Sequence, residues 1–228
     1  FWKAVRSGWN RTDTLAAVTN TAALVVSIGN CWWESVWVCV LASSLPLAVQ
    51  LLWAARKPGP LREALVFGSL VAVMWPLGEG ITVHTLGWWG DYHAPGPRIW
   101  KTPIYCLLAG WLASAYSVYL GYRTQQIGYG KLGASLAAGL AAFLLGAVGE
   151  NLFVAARIWV YAPSGLEIGA VPAFVPVAYA LAYGAYPLFR GPYERFSLRP
   201  MIRATLGFAA TVFFACTTLG LLSGFFPR

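Results

Sequence analysis

The sequence predicts an all-α fold: one integral-membrane domain over residues 1–228, built as a polytopic bundle of about seven transmembrane helices. Three observations carry this. Hydrophobic residues make up 58% of the chain and charged residues only 11%. Uncharged stretches repeatedly reach the ~20 residues that a bilayer core demands of a helix. The basic residues fall between those stretches in a pattern that alternates in density, as the positive-inside bias requires.

In chain order, the uncharged windows are 14–33, 35–55, 102–122, 168–189 and 204–227. Two more start near Ala64 and Leu132 and stay uncharged until they meet Glu79 and Glu150. One straight helix through the first two windows would be ~63 Å long at about 1.5 Å per residue. A break is therefore needed, and Gly29-Asn30 is read as the turn. The Arg56-Lys57-Pro58-Gly59-Pro60 run breaks the chain again, and residues 125–131 form a polar, glycine-bearing turn. The connection at 190–201 is punctuated by Pro192 and Pro200. The loops at 85–101 and 157–169 are longer, and loops of that size in a compact bundle tend to be functional.

Seven spans with the N-terminus cytoplasmic put Lys3, Arg6, Arg11, Arg56, Lys57, Arg62, Arg123, Lys131, Arg190, Arg195, Arg199 and Arg203 on the cytoplasmic side. Only Arg98, Lys101, Arg157 and Arg228 fall outside, so the C-terminus is expected to be extracytoplasmic. The formal charge of +8 is thus an orientation signal, with no nucleic-acid partner implied. Cys31, Cys39, Cys106 and Cys216 have no metal-ligand spacing and read as small packing hydrophobes. The runs Gly133–Gly139 and Ala180–Ala185 are rich in small residues, which lets membrane helices approach closely.

The centre of the sequence is a pattern that occurs twice. Gly78-Glu79 is followed by Trp89-Gly-Asp-Tyr92 and then by Pro103, which opens an apolar run. Gly149-Glu150 is followed by Trp159-Val-Tyr161 and then by Pro172, which opens another. The glutamates are 71 residues apart and the prolines 69, so the halves at about 61–122 and 131–190 read as an internal parallel repeat. A carboxylate at the centre of a membrane helix costs ~2.5–3.5 kcal/mol on insertion scales. Two in matched positions point to use.

Glu79, Glu150 and Glu34 are the candidate catalytic acids, expected at similar depth near the outer surface. Trp33, Trp88, Trp89, Trp159, Tyr92 and Tyr161 cluster at the same level. They fit an interfacial belt or the lining of a substrate pocket, where aromatic faces stabilise a cation. Asp91 and His84 join them as candidate substrate contacts. His84 and His93 fit no metal motif beside Glu79 and Asp91, so no metal ligands are assigned. The last span contains no lysine, which excludes retinal attachment there.

Glu79-Gly-Ile-Thr-Val-His-Thr-Leu-Gly-Trp-Trp-Gly-Asp-Tyr92, with Pro103 and Trp111, resembles the first motif of the membrane-bound carotenoid hydratases of the bacterioruberin type. Trp159-Val-Tyr161 and Gly169-Ala-Val-Pro172 are similar to that family's later elements, although Glu150-Asn151 stands where the family has aspartate-proline. The resemblance spans about residues 75–180. Asn30-Cys-Trp-Trp33-Glu34-Ser-Val36 is similar to a segment of the small membrane-bound terpene cyclases, whose glutamate protonates the substrate. Both resemblances imply acid-initiated carbocation chemistry on an isoprenoid.

The expectation is therefore an enzyme that protonates a terminal alkene or epoxide of a carotenoid or terpenoid, giving hydration or cyclisation. Glu79 is the expected acid, Glu150 its partner and Glu34 the alternative acid. Such chemistry needs no cofactor, and its partners are a lipid-soluble isoprenoid and membrane lipid. The alternatives are a non-catalytic pigment- or lipid-binding subunit and a transporter.

Overall fold

The computed structural model describes residues 8–57, 59–79, 90–93, 95–162, 165–193 and 196–222. The chain is all-α apart from short strands. Its elements are α1 (Arg11–Trp33), α2 (Val36–Arg56), α3 (Pro60–Glu79), β1 (Gly90–Tyr92), β2 (Arg98–Ile99), β3 (Thr102–Pro103), α4 (Ile104–Thr124), α5 (Gly130–Ala155), β4 (Trp159–Tyr161), β5 (Glu167–Ile168), β6 (Val171–Pro172), α6 (Phe174–Arg190) and α7 (Leu198–Leu222). Five helical segments are long and apolar enough to cross a membrane. One of them, Ile104–Ala155, is 52 residues long and contains both α4 and α5.

That long segment folds back on itself. A π-helical turn, Gln125–Tyr129, joins α4 to α5, and Gly128 within it takes φ 100°, a conformation that favours glycine. The reversal is visible in packing: a Cβ added at Gly121 would lie 3.0 Å from the Ala134 carbonyl oxygen. The small-residue runs act the same way between α5 and α6. A Cβ at Gly139 would sit 2.8 Å from the Ala180 oxygen, and the Ser135 hydroxyl donates to the Gly184 carbonyl at 2.6 Å.

The expected turn at Gly29-Asn30 is corrected. Helix α1 runs through it to Trp33, and the break falls at Glu34, the C-cap residue, which sits in the left-handed region at φ 48°. The physical reason is Asn30. Its carbonyl oxygen accepts from the Ser35 N–H at 2.9 Å while its amide donates to Cys39 Sγ at 2.9 Å. The side chain expected to make a turn thus fastens the turn that follows it.

Acids at the opposite end of the bundle from the strands are matched by arginines. Asp13, in the first turn of α1, completes a capping box with Asn10 and pairs with Arg123 Nε at 2.6 Å. The Tyr119 hydroxyl donates to the same carboxylate at 2.6 Å. Glu63, in the first turn of α3, is fully buried and accepts from Arg190 Nε at 2.5 Å and from the Tyr122 hydroxyl at 2.5 Å. Arg123 and Arg190 lie in the last turns of α4 and α6, where a cation also complements the helix dipole. Between these pairs and the strands lies an aromatic core. In it Phe67 packs against Tyr186, Tyr183 and Phe208 at ring-centroid distances of 4.2, 6.2 and 5.2 Å.

Removing one partner of a buried ion pair strands the other charge, at a cost of about 3–5 kcal/mol. Arg190→Met is expected to lose about that much stability. Glu63→Gln/Arg190→Met together should recover part of it. Thermal unfolding in detergent checks this, and equal melting temperatures for wild type and Arg190→Met would refute the pairing.

Candidate acid-pair site

Glu79 is the last residue of α3, and its half-buried carboxylate is surrounded by neutral donors. The Trp75 indole N–H donates to Oε1 at 2.6 Å, and the Tyr92 hydroxyl donates to the same oxygen at 2.7 Å. Oε2 accepts from the Thr102 hydroxyl. Trp75 stands one helical turn before Glu79, so both project from one face of α3. Tyr92 comes from β1 and Thr102 from β3, so three separate elements complete the cage.

Glu150, near the end of α5, is also half-buried. Its Oε2 accepts from the Tyr161 hydroxyl at 2.8 Å, and its Oε1 accepts from the Tyr179 hydroxyl at 3.0 Å. Tyr161 belongs to β4 and Tyr179 to α6. Gly146 makes this reach possible, because a Cβ there would lie 2.6 Å from Tyr179 Cδ2. Gly146 stands one turn before Glu150, as Trp75 does before Glu79. An aromatic side chain thus fills equivalent space beside each glutamate, supplied by the same helix at Glu79 and by the next helix at Glu150.

The two cages join into one site. Strand β1 pairs antiparallel with β4, setting Tyr92 opposite Trp159 and Gly90 opposite Tyr161. The Tyr92 and Trp159 rings lie 4.4 Å apart, and Trp159 packs edge-on against Tyr161 at 5.3 Å. On the helix side, the Trp75 and Tyr179 rings meet at 6.0 Å. The carboxylates are close enough to interact electrostatically, and both act on Cys106. Gly90 is required by the ladder: its φ is 153°, and a Cβ would fall 1.9 Å from the Val160 oxygen.

The remaining candidates divide clearly. Glu150, Glu79, Tyr92, Trp159 and Tyr161 come together. Glu34 does not join them; it lies near the surface beside Arg157, 3.4 Å from Nε. Trp33 is 66% exposed on α1. Strand alternation turns Asp91 to the exposed face, where it accepts from the Tyr92 N–H at 2.8 Å. His93 is exposed, and its backbone N–H donates to the Ile158 carbonyl at 3.0 Å. His84, Trp88 and Trp89 lie outside the described residues. Trp111 packs between helices, its indole donating to the Leu65 carbonyl at 2.7 Å. Among the described residues, no group of three or more His, Cys, Asp or Glu could hold a metal ion.

Sequence reading missed Trp75, Thr102 and Tyr179. Trp75 carried a signal, since the i−4 position shares a helix face with Glu79. Thr102 and Tyr179 carried none that spacing could expose, because β3 and α6 meet the glutamates only through tertiary packing.

The arrangement provides two carboxyl groups in an aromatic wall at the end of an apolar bundle. Among the described residues, neither is paired with a cation. A carboxylate offers roughly four acceptor positions. Among the described residues Glu79 accepts three hydrogen bonds and Glu150 two, so Glu150 keeps more acceptor positions open.

The chain matches no family model, and no curated protein or solved structure is significantly similar to it.

Tyr92 and Tyr161 lie in the strands, outside the helices. Burial, followed by the charges of Glu79 for Tyr92 and of Glu150 for Tyr161, pushes both phenols well above the ordinary tyrosine range. The folded state therefore keeps them protonated after the unfolded chain has begun to ionise. Their stabilising contribution is complete below about pH 10 and is lost as the pH rises above it. The melting temperature should fall more steeply from pH 9 to 11 in wild type than in Tyr92→Phe/Tyr161→Phe. Parallel slopes would contradict the burial of these hydroxyls.

Proposed function

We propose that this protein is an integral-membrane enzyme that protonates a terminal alkene or epoxide of a carotenoid or terpenoid, leading to hydration or cyclisation. The observation that carries this reading is the joined pair of glutamates met only by neutral donors among the described residues. Asp13 and Glu63 each face an arginine, whereas Glu79 and Glu150 are held by phenol, indole and hydroxyl groups alone among the described residues. A carboxyl group with no fixed positive charge beside it is the kind that general acid catalysis uses.

In this reading all seven helices cross the bilayer, and the strand end faces the extracytoplasmic side. Residues 61–122 and 131–190 descend from one duplicated unit. The substrate is dissolved in the membrane and brings its terminal double bond to the aromatic wall. Glu150 delivers a proton to one alkene carbon, and the C=C π pair becomes the new C–H bond, leaving a tertiary cation on its neighbour. This gives the acid role to Glu150 and the partner role to Glu79, on the strength of the acceptor positions each has free. Trp75, Tyr92, Trp159, Tyr161 and Tyr179 stabilise the cation through their ring faces, by ~2 kcal/mol or more for each well-placed face in a dry site. Water or a second double bond captures it, and Glu79 takes the proton released. No electrons are transferred to an outside acceptor, so the step balances without a redox cofactor. This is the chemistry that the resemblance to carotenoid hydratases and membrane terpene cyclases implies.

Expression in a host that makes acyclic carotenoids tests the reading. The wild type is expected to yield a product heavier by one water or an isomer of unchanged mass. Glu79→Gln and Glu150→Gln should each lower its formation by ~100-fold or more, in line with loss of a general acid or base. Unchanged lipids in the wild-type strain, with a pigment co-purifying equally with all three proteins, would favour a binding subunit instead.

A further inference from the structure

Beside the acid pair, between α1, α2, α4 and α5, lies a small cavity of about 30 Å³. It is lined in part by Ser27, Asn30, Cys39, Ser43, Tyr105 and Phe153. Ala109, Leu152, Ala156 and Ile158 complete the lining, so the polar groups are gathered within an otherwise apolar wall. Tyr105 is 2% exposed, and its hydroxyl has no hydrogen-bond partner among the described residues. Buried hydroxyls without partners are rare, and an unpaired one points to a ligand that supplies the bond.

Size and chemistry select the ligand. A buried water needs a cavity of roughly 10–15 Å³ of accessible volume and two to four polar partners. Tyr105, Ser43, Ser27 and Asn30, all in the lining, are the residues that carry such polar groups. An ion would meet no opposite charge in the lining, and an organic molecule would not fit.

The position connects this cavity to the acid pair. Tyr105, Cys39, Ile158, Ala156, Tyr92 and Cys106 form one packed cluster. Tyr92 is the residue that donates to Glu79, and Cys106 lies within electrostatic reach of both glutamates. The cavity therefore backs onto the wall of the acid-pair site.

We infer that this cavity binds water through Tyr105 and supplies the water that captures the carbocation, which commits the enzyme to hydration over cyclisation. This rests on the acid-pair reading above. The balance is complete. The proton from Glu150 forms the new C–H bond, the water oxygen forms the C–O bond, and the oxonium loses its extra proton to Glu79. The proton then returns across the pair to Glu150, so the net reaction is alkene plus water giving a tertiary alcohol.

Tyr105→Phe removes one oxygen atom and leaves the ring, with Ser43→Ala as an independent second variant. Both are expected to fold like wild type, judged by thermal unfolding in detergent. Each should make at least 10-fold less alcohol while still consuming substrate, the balance appearing as isomers of unchanged mass. If Tyr105→Phe keeps wild-type alcohol yield while Glu150→Gln abolishes it, the water site is overturned and the acid pair stands. If wild type makes no alcohol, the role of the water as nucleophile falls. A high-resolution experimental map separately tests occupancy: water density on the Tyr105 hydroxyl, lost in Tyr105→Phe, is expected, and its absence in wild type overturns the site.

Discussion

Four acids sit in or beside apolar helices of this chain, and each needs hydrogen-bond donors brought from elsewhere. Much of the architecture follows from how that demand is met. An unpaired buried charge is among the most destabilising features a fold can carry. Asp13, Glu63, Glu79 and Glu150 each draw at least one distant element toward them: α4, α4 with α6, β1 with β3, and β4 with α6. The acids thus act as fixed points about which helices and strands are arranged.

The two ends of the bundle solve the problem with different chemistry. At one end, arginines in the last turns of α4 and α6 neutralise Asp13 and Glu63, and tyrosine hydroxyls complete the shells. Such pairs hold helix ends in register. At the strand end, indole, phenol and hydroxyl groups serve Glu79 and Glu150. These donors are neutral, and among the described residues neither glutamate meets a cation. The first kind of shell serves architecture, and the second is the basis of the proposed proton transfer.

The strands link fold to site. A ladder only three residues long pairs β1 with β4, yet it sets Tyr92 against Trp159 and so closes two cages into one. Gly90 and Gly146 are what allow the approach, each where a side chain would collide with a partner. Next to this wall, a small cavity brings the Tyr105 hydroxyl, unpartnered among the described residues, together with Ser27, Asn30 and Ser43. The two glutamates, the aromatic rings around them and the Tyr105 cavity therefore lie in one region of the bundle.

The sequence by itself determined the all-α class, the apolar helices and the two glutamates with their trailing aromatic residues. These are properties of composition and local spacing, which a chain carries wherever it folds. It also carried Trp75 beside Glu79, because helical periodicity alone puts them on one face. It misplaced the first turn, since whether Asn30 breaks a helix or fastens the next one depends on Cys39 and Ser35 being within reach. Tertiary structure alone decided that Glu79 and Glu150 share a site while Glu34 stands apart with Arg157. It also decided that Thr102 and Tyr179 complete the cages and that Asp91 faces outward. Each of these depends on which strands pair and which helices pack. Such contacts join residues up to more than a hundred positions apart, and no local pattern encodes them.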